Sequence, residues 1–234
     1  MGKGYHKLEI RGGPTIQLVN NQIKMGFKFM IRDVSLIIPS QNAEKNLFNL
    51  LSGIPDWDAI PNEIIIVDSS DDKLIIPNYF YTFVKNNNIK FSIIYGENLY
   101  PGHARNIGIN SSDNKLIAFL DTSTLPKRTW LSSGLEIVST QNSAGVWGKT
   151  YYEADKFFAK IYKASTFGDK PIQTFPGSIL KKNVFNRCGL FIETTRAGED
   201  GDWVNRSKVH GLNISIPYEF LNYGEFNKLN AKQI

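Results

Sequence analysis

Apolar residues fall along this chain in short unbroken runs, separated by stretches where they recur at helical spacing. Val34-Ser-Leu-Ile-Ile38, Glu63-Ile-Ile-Ile-Val67, Lys90-Phe-Ser-Ile-Ile-Tyr95 and Leu116-Ile-Ala-Phe-Leu120 are the clearest runs. Each is too short for a helix and apolar at successive positions, as expected of strands covered on both faces. Between them, Leu47, Leu50 and Leu51 share one helical face, 79–88 reads as a helix fading into Asn86-Asn87-Asn88, and Pro101 opens another in which Ala104, Ile107 and Gly108 suit close packing. The alternation predicts an α/β domain with a mostly parallel central sheet and helices on both faces.

The second half changes character. The spacing predicts a helix over 127–139, a strand of mixed pattern over 144–152 and an amphipathic helix over 153–166, with Phe157, Phe158, Ile161 and Tyr162 on its apolar side. A loop through Gly168, Pro171 and Pro176 follows, then a short strand over 177–181, a short helix to Cys188, a helix over 199–210 and a last strand over 213–216. Residues 1–30 read as a leader, with a turn at Gly12-Gly13-Pro14 and a short edge strand from Thr15. The rest, 31–234, reads as one domain with halves 31–125 and 126–234. A chain of 234 residues, 41% hydrophobic, is long enough to bury a sizeable core as one domain.

The polar residues that close these runs carry the chemistry. Asp68 ends the second strand, Asp121 the fourth, and Glu199-Asp200 opens a helix. In a parallel sheet Asp68 and Asp121 share the carboxyl rim, where ligands of open α/β sheets bind. Carboxylates gathered there repel one another unless a cation lies between them, and Arg105, His103, Lys127 and Arg128 bring positive charge to that side. Other readings stand beside this one: Asp68 and Asp121 also suit turns or caps, Asp200 also suits the first turn of a helix as a charge on the dipole, and Trp203 suits the core.

Charge and cysteine usage narrow the setting. The net charge of +5, with no block of like charges, favours phosphate-bearing ligands or an anionic membrane surface and does not single out nucleic acid. The single cysteine, Cys188, allows no intrachain disulfide and reads as a small core residue in a reducing compartment. No apolar run approaches a membrane span, and the first 30 residues lack the apolar core of a signal peptide. The expectation is a cytoplasmic protein, working free or at the inner face of a membrane. Neither G-x-G-x-x-G nor G-x-x-x-x-G-K-[ST] occurs, which disfavours dinucleotide and P-loop sites.

Five segments, in order, carry a specific resemblance: Val34 to Asn42; Glu63 to Asp71; Gly102-His-Ala-Arg-Asn-Ile-Gly-Ile109; Leu116 to Thr124; and Pro176 to Glu193, followed by Gly198-Glu-Asp-Gly-Asp-Trp203 and Arg206. Together they resemble a family 2 glycosyltransferase of the GT-A fold, a Rossmann-like three-layer sandwich, over about residues 33–217. The resemblance implies an inverting transfer of sugar from a nucleotide-sugar to a hydroxyl of a glycan or glycolipid, in surface polysaccharide synthesis. It implies a donor pocket made by Pro39, Ser40, Asn42, Asp68, Ser69, Arg105 and Asp121, with Mg2+ or Mn2+ on Asp121. It implies an acceptor side with Glu199 and Trp203, and Asp200 as the general base that takes the proton of a weakly nucleophilic hydroxyl.

The chain departs from that pattern at the metal element, which reads Asp121-Thr122-Ser123: a hydroxyl stands where the second acid of D-x-D belongs. Lys127 or Arg128 would then supply the missing charge. The same departure supports an alternative, a GT-A-shaped nucleotide-binding or scaffold protein without catalysis. A nucleotidyltransferase is disfavoured because Pro39-Ser-Gln-Asn42 is not a Gly-rich basic loop.

Overall fold

A computed structural model describes residues 15–19, 22–26, 30–219 and 221–223. Four parallel strands form the first half of the main sheet: β3 (Met30–Ser40), β4 (Ala59–Asp68), β5 (Lys90–Tyr95) and β6 (Leu116–Phe119), in the order β5-β4-β3-β6. Leu36, Ile37 and Ile38 face Ile64, Ile65 and Ile66 across the ladder, and all six are 0% exposed. Successive side chains of such strands enter opposite layers. Leu36, Ile38, Ile64 and Ile66 join the core that includes Leu47, Leu50 and Leu51 of α1 (Glu44–Gly53), Phe80 and Val84 of α2 (Asn78–Asn86), and Trp130, Leu131 and Ile137 of α4 (Trp130–Thr140). On the other face Ile65 and Val67 pack with Ala104, and Ile37 with Ile109, both from α3 (Pro101–Ser111).

The second half enters the sheet from the opposite direction. β9 (Ile172–Lys181) pairs antiparallel with β6, and β8 (Gly145–Tyr152) pairs antiparallel with β9. Beyond β8 lie two short strands, β10 (Ile214–Ser215) and β11 (Leu221–Tyr223), both parallel to β8, and β7 (Thr124–Leu125) closes against β11. The curled sheet is mostly parallel, as expected, with antiparallel pairing where β9 joins it.

Several expectations need correcting. Pro176 lies inside β9, which begins at Ile172 and not at Gly177. A proline cannot donate to a ladder, and the β8–β9 register shifts between Val146 and Gly148 to accommodate it. The strand starting at Thr15 is no edge of the main sheet: β1 (Thr15–Val19) pairs with β2 (Gln22–Gly26) as a separate hairpin. The turn at Gly12–Pro14 lies outside the described residues. The amphipathic helix starts later, as α5 (Phe157–Thr166), and faces the other way. Phe157 is 70% exposed, with Phe158 and Ile161 also open, while Ala159 and Lys163 are its buried residues. Lys163 is held there by the Tyr151 hydroxyl at 3.0 Å and by its position over the Tyr151 ring.

Candidate active site

Small residues press α3 into place. A Cβ on Gly108 would sit 2.5 Å from Ile37 Cγ2, and one on Gly102 would sit 2.3 Å from the Ile192 carbonyl and 3.2 Å from Glu199 Cγ. The helix thus lies against β3 on one side and against the start of α7 (Glu199–Val209) on the other. Asn106 fixes the second contact: its amide donates to the Phe191 carbonyl and its oxygen accepts from the Phe191 N–H, each at 2.9 Å.

Arg105, 2% exposed, sits in the middle. Its Nη1 donates to Glu199 Oε1 at 2.9 Å and Asp200 Oδ1 at 2.7 Å, and its Nη2 donates to Asp121 Oδ1 at 3.2 Å. The guanidinium carbon lies 5.5 Å and 5.7 Å from the ring centroids of Phe175 and Phe191. Burial alone would pull the guanidinium down, but Asp121, Asp200 and Glu199 hold it above its usual value. One cation and three carboxylates leave this cluster with a formal charge of −2 when all are ionised. Burial therefore dominates at Asp200: its carboxyl is pushed up to about 6, with Asp121 and Glu199 pushing the same way and Arg105 opposing them.

The cluster forms the floor of a cleft of about 430 Å³. Of the residues expected at a ligand site, Pro39, Ser40, Ser69, Arg105, Asp121, Glu199 and Asp200 line it. Glu199 is buried beneath Arg105, so it positions that cation more than it offers an acceptor contact. Ser40 and Asp68 are partners across the β3–β4 ladder, and both are buried. Ser40 Oγ and Asp68 Oδ2 have no hydrogen-bond partner, although Asp68 Oδ1 accepts from Ser70 Oγ at 2.8 Å. Asp68, expected at the ligand site, does not itself line the cleft, so of these two orphaned atoms only Ser40 Oγ belongs to a lining residue.

Two expected site residues do other work. Asn42, with φ of 49°, does not line the cleft. Its amide donates to Asp71 Oδ2 at 2.9 Å and its oxygen accepts from the Asp71 N–H at 3.1 Å, tying the loops after β3 and β4 together. Trp203 is 0% exposed and packs among Trp147, Phe175, Phe185 and Phe191, its indole N–H on the Gly189 carbonyl at 3.0 Å. It is a core residue and presents no face to a sugar.

The expectation of Mg2+ or Mn2+ on Asp121 meets a poor donor set. Asp121 Oδ1 is already engaged by Arg105, and the Ser123 hydroxyl accepts from Asn46 Nδ2 at 3.3 Å. Among the described residues no three His, Cys, Asp or Glu side chains converge as metal ligands. These residues do not fit a divalent ion. Nor do Lys127 and Arg128 supply charge here: neither lines the cleft, and Arg128 Nε donates to Asp58 Oδ1 at 2.5 Å.

Sequence reasoning missed other residues at the cleft. Tyr223, on a three-residue strand that no periodicity marks, lines it and lies 5.1 Å, ring to ring, from Tyr152, which stacks on Phe167 at 3.9 Å. Burial first, then Tyr223, Asp121 and Asp200, push the Tyr152 hydroxyl up to about 12. Arg196 also lines the cleft; its one signal in the sequence was its place four residues before Asp200.

Comparison with known proteins bears on the family and the fold. The model for glycosyl transferase family 2 matches residues 35–196. Glycosyltransferase AglE of Haloferax volcanii is 23% identical over 201 residues, 80% of this chain and 65% of that protein. An uncharacterized glycosyltransferase of Rickettsia bellii is 28% identical over 78% of this chain but only 27% of its own length. The chain thus spans less than two thirds of either relative. Among solved structures, S. aureus TarS 1–349 in complex with UDP-GlcNAc superposes with a TM-score of 0.60 at 17% identity, covering 81% of this chain and 57% of that one. The mannosyltransferase PcManGT of Pyrobaculum calidifontis, in complex with GDP-Man and Mn2+, gives 0.52 at 14% identity, covering 82% and 56%. At these identities the likeness speaks for the fold.

Proposed function

The chain belongs to glycosyl transferase family 2, and we propose that it moves a sugar from a nucleotide-sugar to a hydroxyl of a glycan or glycolipid acceptor, with inversion at the anomeric carbon. The observation that carries this reading is Asp200: a carboxylate at the cleft, pushed up to about 6, held at 2.7 Å by a buried arginine. A base near the working pH is matched to taking a proton as the acceptor oxygen attacks.

The nucleoside of the donor lies along Pro39, Ser40 and Ser69, where Ser40 Oγ has no hydrogen-bond partner and Asp68 backs Ser40 across the ladder. Asp121, half-exposed and fixed by Arg105, faces the ribose. The acceptor oxygen attacks the anomeric carbon from the side opposite the departing diphosphate. Asp200 accepts the proton, the new C–O bond forms as the old one breaks, and configuration inverts. Glu199 keeps Arg105 in place, and the two aromatic rings beside Arg105 keep water from that cation. The relatives' printed names and ligands support a nucleoside diphosphate sugar as donor. No described helix is long and apolar enough to cross a membrane. We place the activity in surface-glycan synthesis, at the cytoplasmic side of a membrane when the acceptor is lipid-linked.

The test is Asp200→Asn. Transfer should fall at least a thousand-fold, on the order of removing both the base and its positioning, while nucleotide affinity holds. Transfer that survives would remove Asp200 from the mechanism. The second reading, a nucleotide-binding scaffold, is favoured by Ser123 standing where an acid is expected; it predicts nucleotide binding without turnover for any donor.

A further inference from the structure

We propose that Arg196 receives the diphosphate of the donor and does so in place of a divalent ion. The inference rests on the nucleotide-sugar reading above and adds a residue and a metal independence to it.

A departing nucleoside diphosphate gathers negative charge, which a cation must meet in the transition state. The usual answer is a metal, but Asp121-Thr122-Ser123 offers one carboxylate, whose Oδ1 is held by Arg105, and a hydroxyl that accepts from Asn46. Arg105 is no substitute: it is buried under three carboxylates whose combined charge exceeds its own. Arg128 is paired with Asp58, away from the cleft. His103 faces Glu193 at 3.7 Å. Arg196 is left. Among the described residues it is the only cation besides Arg105 that lines the cleft, its side chain is exposed, and no hydrogen bond or ion pair engages it.

Its position suits the task. Arg196 lines both the main cleft and an adjoining hollow of about 410 Å³ shared with Gln41, Tyr100 and Pro101. It therefore stands at the junction of the two, in the same cleft as Ser40 and Ser69. A guanidinium presents a planar fork that matches two phosphate oxygens at once. It also sits on the loop that runs directly into α7, four residues before Asp200, so one short segment delivers both the cation for the leaving group and the base for the nucleophile.

The experiment measures binding of UDP, GDP and dTDP, and of the matching nucleosides, to the full chain by calorimetry, in EDTA and in manganese. Wild type, Arg196→Ala and Arg196→Lys are compared. One diphosphate should bind wild type in EDTA, with manganese changing the dissociation constant less than about two-fold. Arg196→Ala should weaken that diphosphate about 10–100-fold, the scale of losing charge-assisted hydrogen bonds. Arg196→Lys should fall between, and the nucleoside should bind all three proteins alike. Equal diphosphate affinity in Arg196→Ala, or wild-type binding that appears only with manganese, overturns the inference and leaves the donor site standing. Wild type that binds none of the three overturns the donor reading itself. Because Arg196 is exposed, an unchanged melting temperature verifies that the variants are folded.

Discussion

Arg105 Nη1 donates to Asp200 Oδ1 at 2.7 Å, yet burial pushes the Asp200 carboxyl from the ordinary 3.8 up to about 6. Burial and the neighbouring Asp121 and Glu199 outweigh the arginine. The ionised form is thus less favoured in the folded protein than in the unfolded chain, so the stability this group contributes is full below about 3.8 and lost as pH rises through about 6. Two consequences follow. In the free enzyme kcat/KM should rise with pH through about 6, because the base must be ionised. Asp200→Asn should melt about 2–4 °C higher than wild type at pH 8, a gain of about 1 kcal/mol after discounting for the carboxylate's partial exposure, and the gain should vanish at pH 4. Calorimetry at both pH values checks this; a variant less stable at pH 8 would mean that the hydrogen bond to Arg105 outweighs desolvation.

Arg105→Ala removes the one cation that, among the described residues, pairs with Asp121, Glu199 and Asp200. Taking one partner from a buried ionic group costs about 3–5 kcal/mol. Urea unfolding should show that loss near neutral pH, and a smaller one at pH 4.5, below the value of about 6 to which the Asp200 carboxyl is raised. Arg105→Lys should recover little, because a single ammonium cannot span Asp121 on one nitrogen and the Glu199–Asp200 pair on the other.

Gly102→Ala tests how tightly α3 and α7 must meet. The added methyl would collide with the Ile192 carbonyl at 2.3 Å and crowd Glu199 Cγ at 3.2 Å. Backbone cannot yield as a side-chain tip does, so the loop before α7 must shift. We expect a destabilisation of about 1–3 kcal/mol and a fall in transfer larger than any change in nucleotide affinity, measured as kcat against donor KM.

Trp203→Ala should cost about 3–5 kcal/mol by chemical denaturation, the scale for emptying a large core site. A ring that served only as a sugar platform would instead leave stability unchanged and raise acceptor KM, and unchanged stability would return Trp203 to that role.

The parallel strands and their acidic ends were legible because burial on both faces writes itself as unbroken runs such as Ile64-Ile-Ile66, and because Asp68, Asp121 and Asp200 interrupt or open those elements sharply. Trp203 was not, because it stands in a helix whose first turn holds Glu199, Asp200 and Asp202 and whose other buried residues, Glu199 and Ser207, are both polar. Periodicity cannot separate a lone buried ring from an exposed one. The face of α5 was misread for the converse reason: Phe157, Phe158 and Ile161 make a good apolar stripe, but Lys163, satisfied by Tyr151, took the inner position. β7 and β11, at two and three residues, are defined only by each other's pairing. The threefold grip on Arg105 joins residues up to 95 positions apart, a convergence that no local pattern encodes.

The seam between β6 and β9, where parallel pairing gives way to antiparallel, divides the residues that build the cleft. Everything before it builds the rim with Ser40, Asp68 and Asp121. The half after it reaches the shared charge cluster through one helical turn, Glu199 and Asp200. The cleft therefore straddles a joint in the sheet, with the Arg105 ion pairs as the clasp across it.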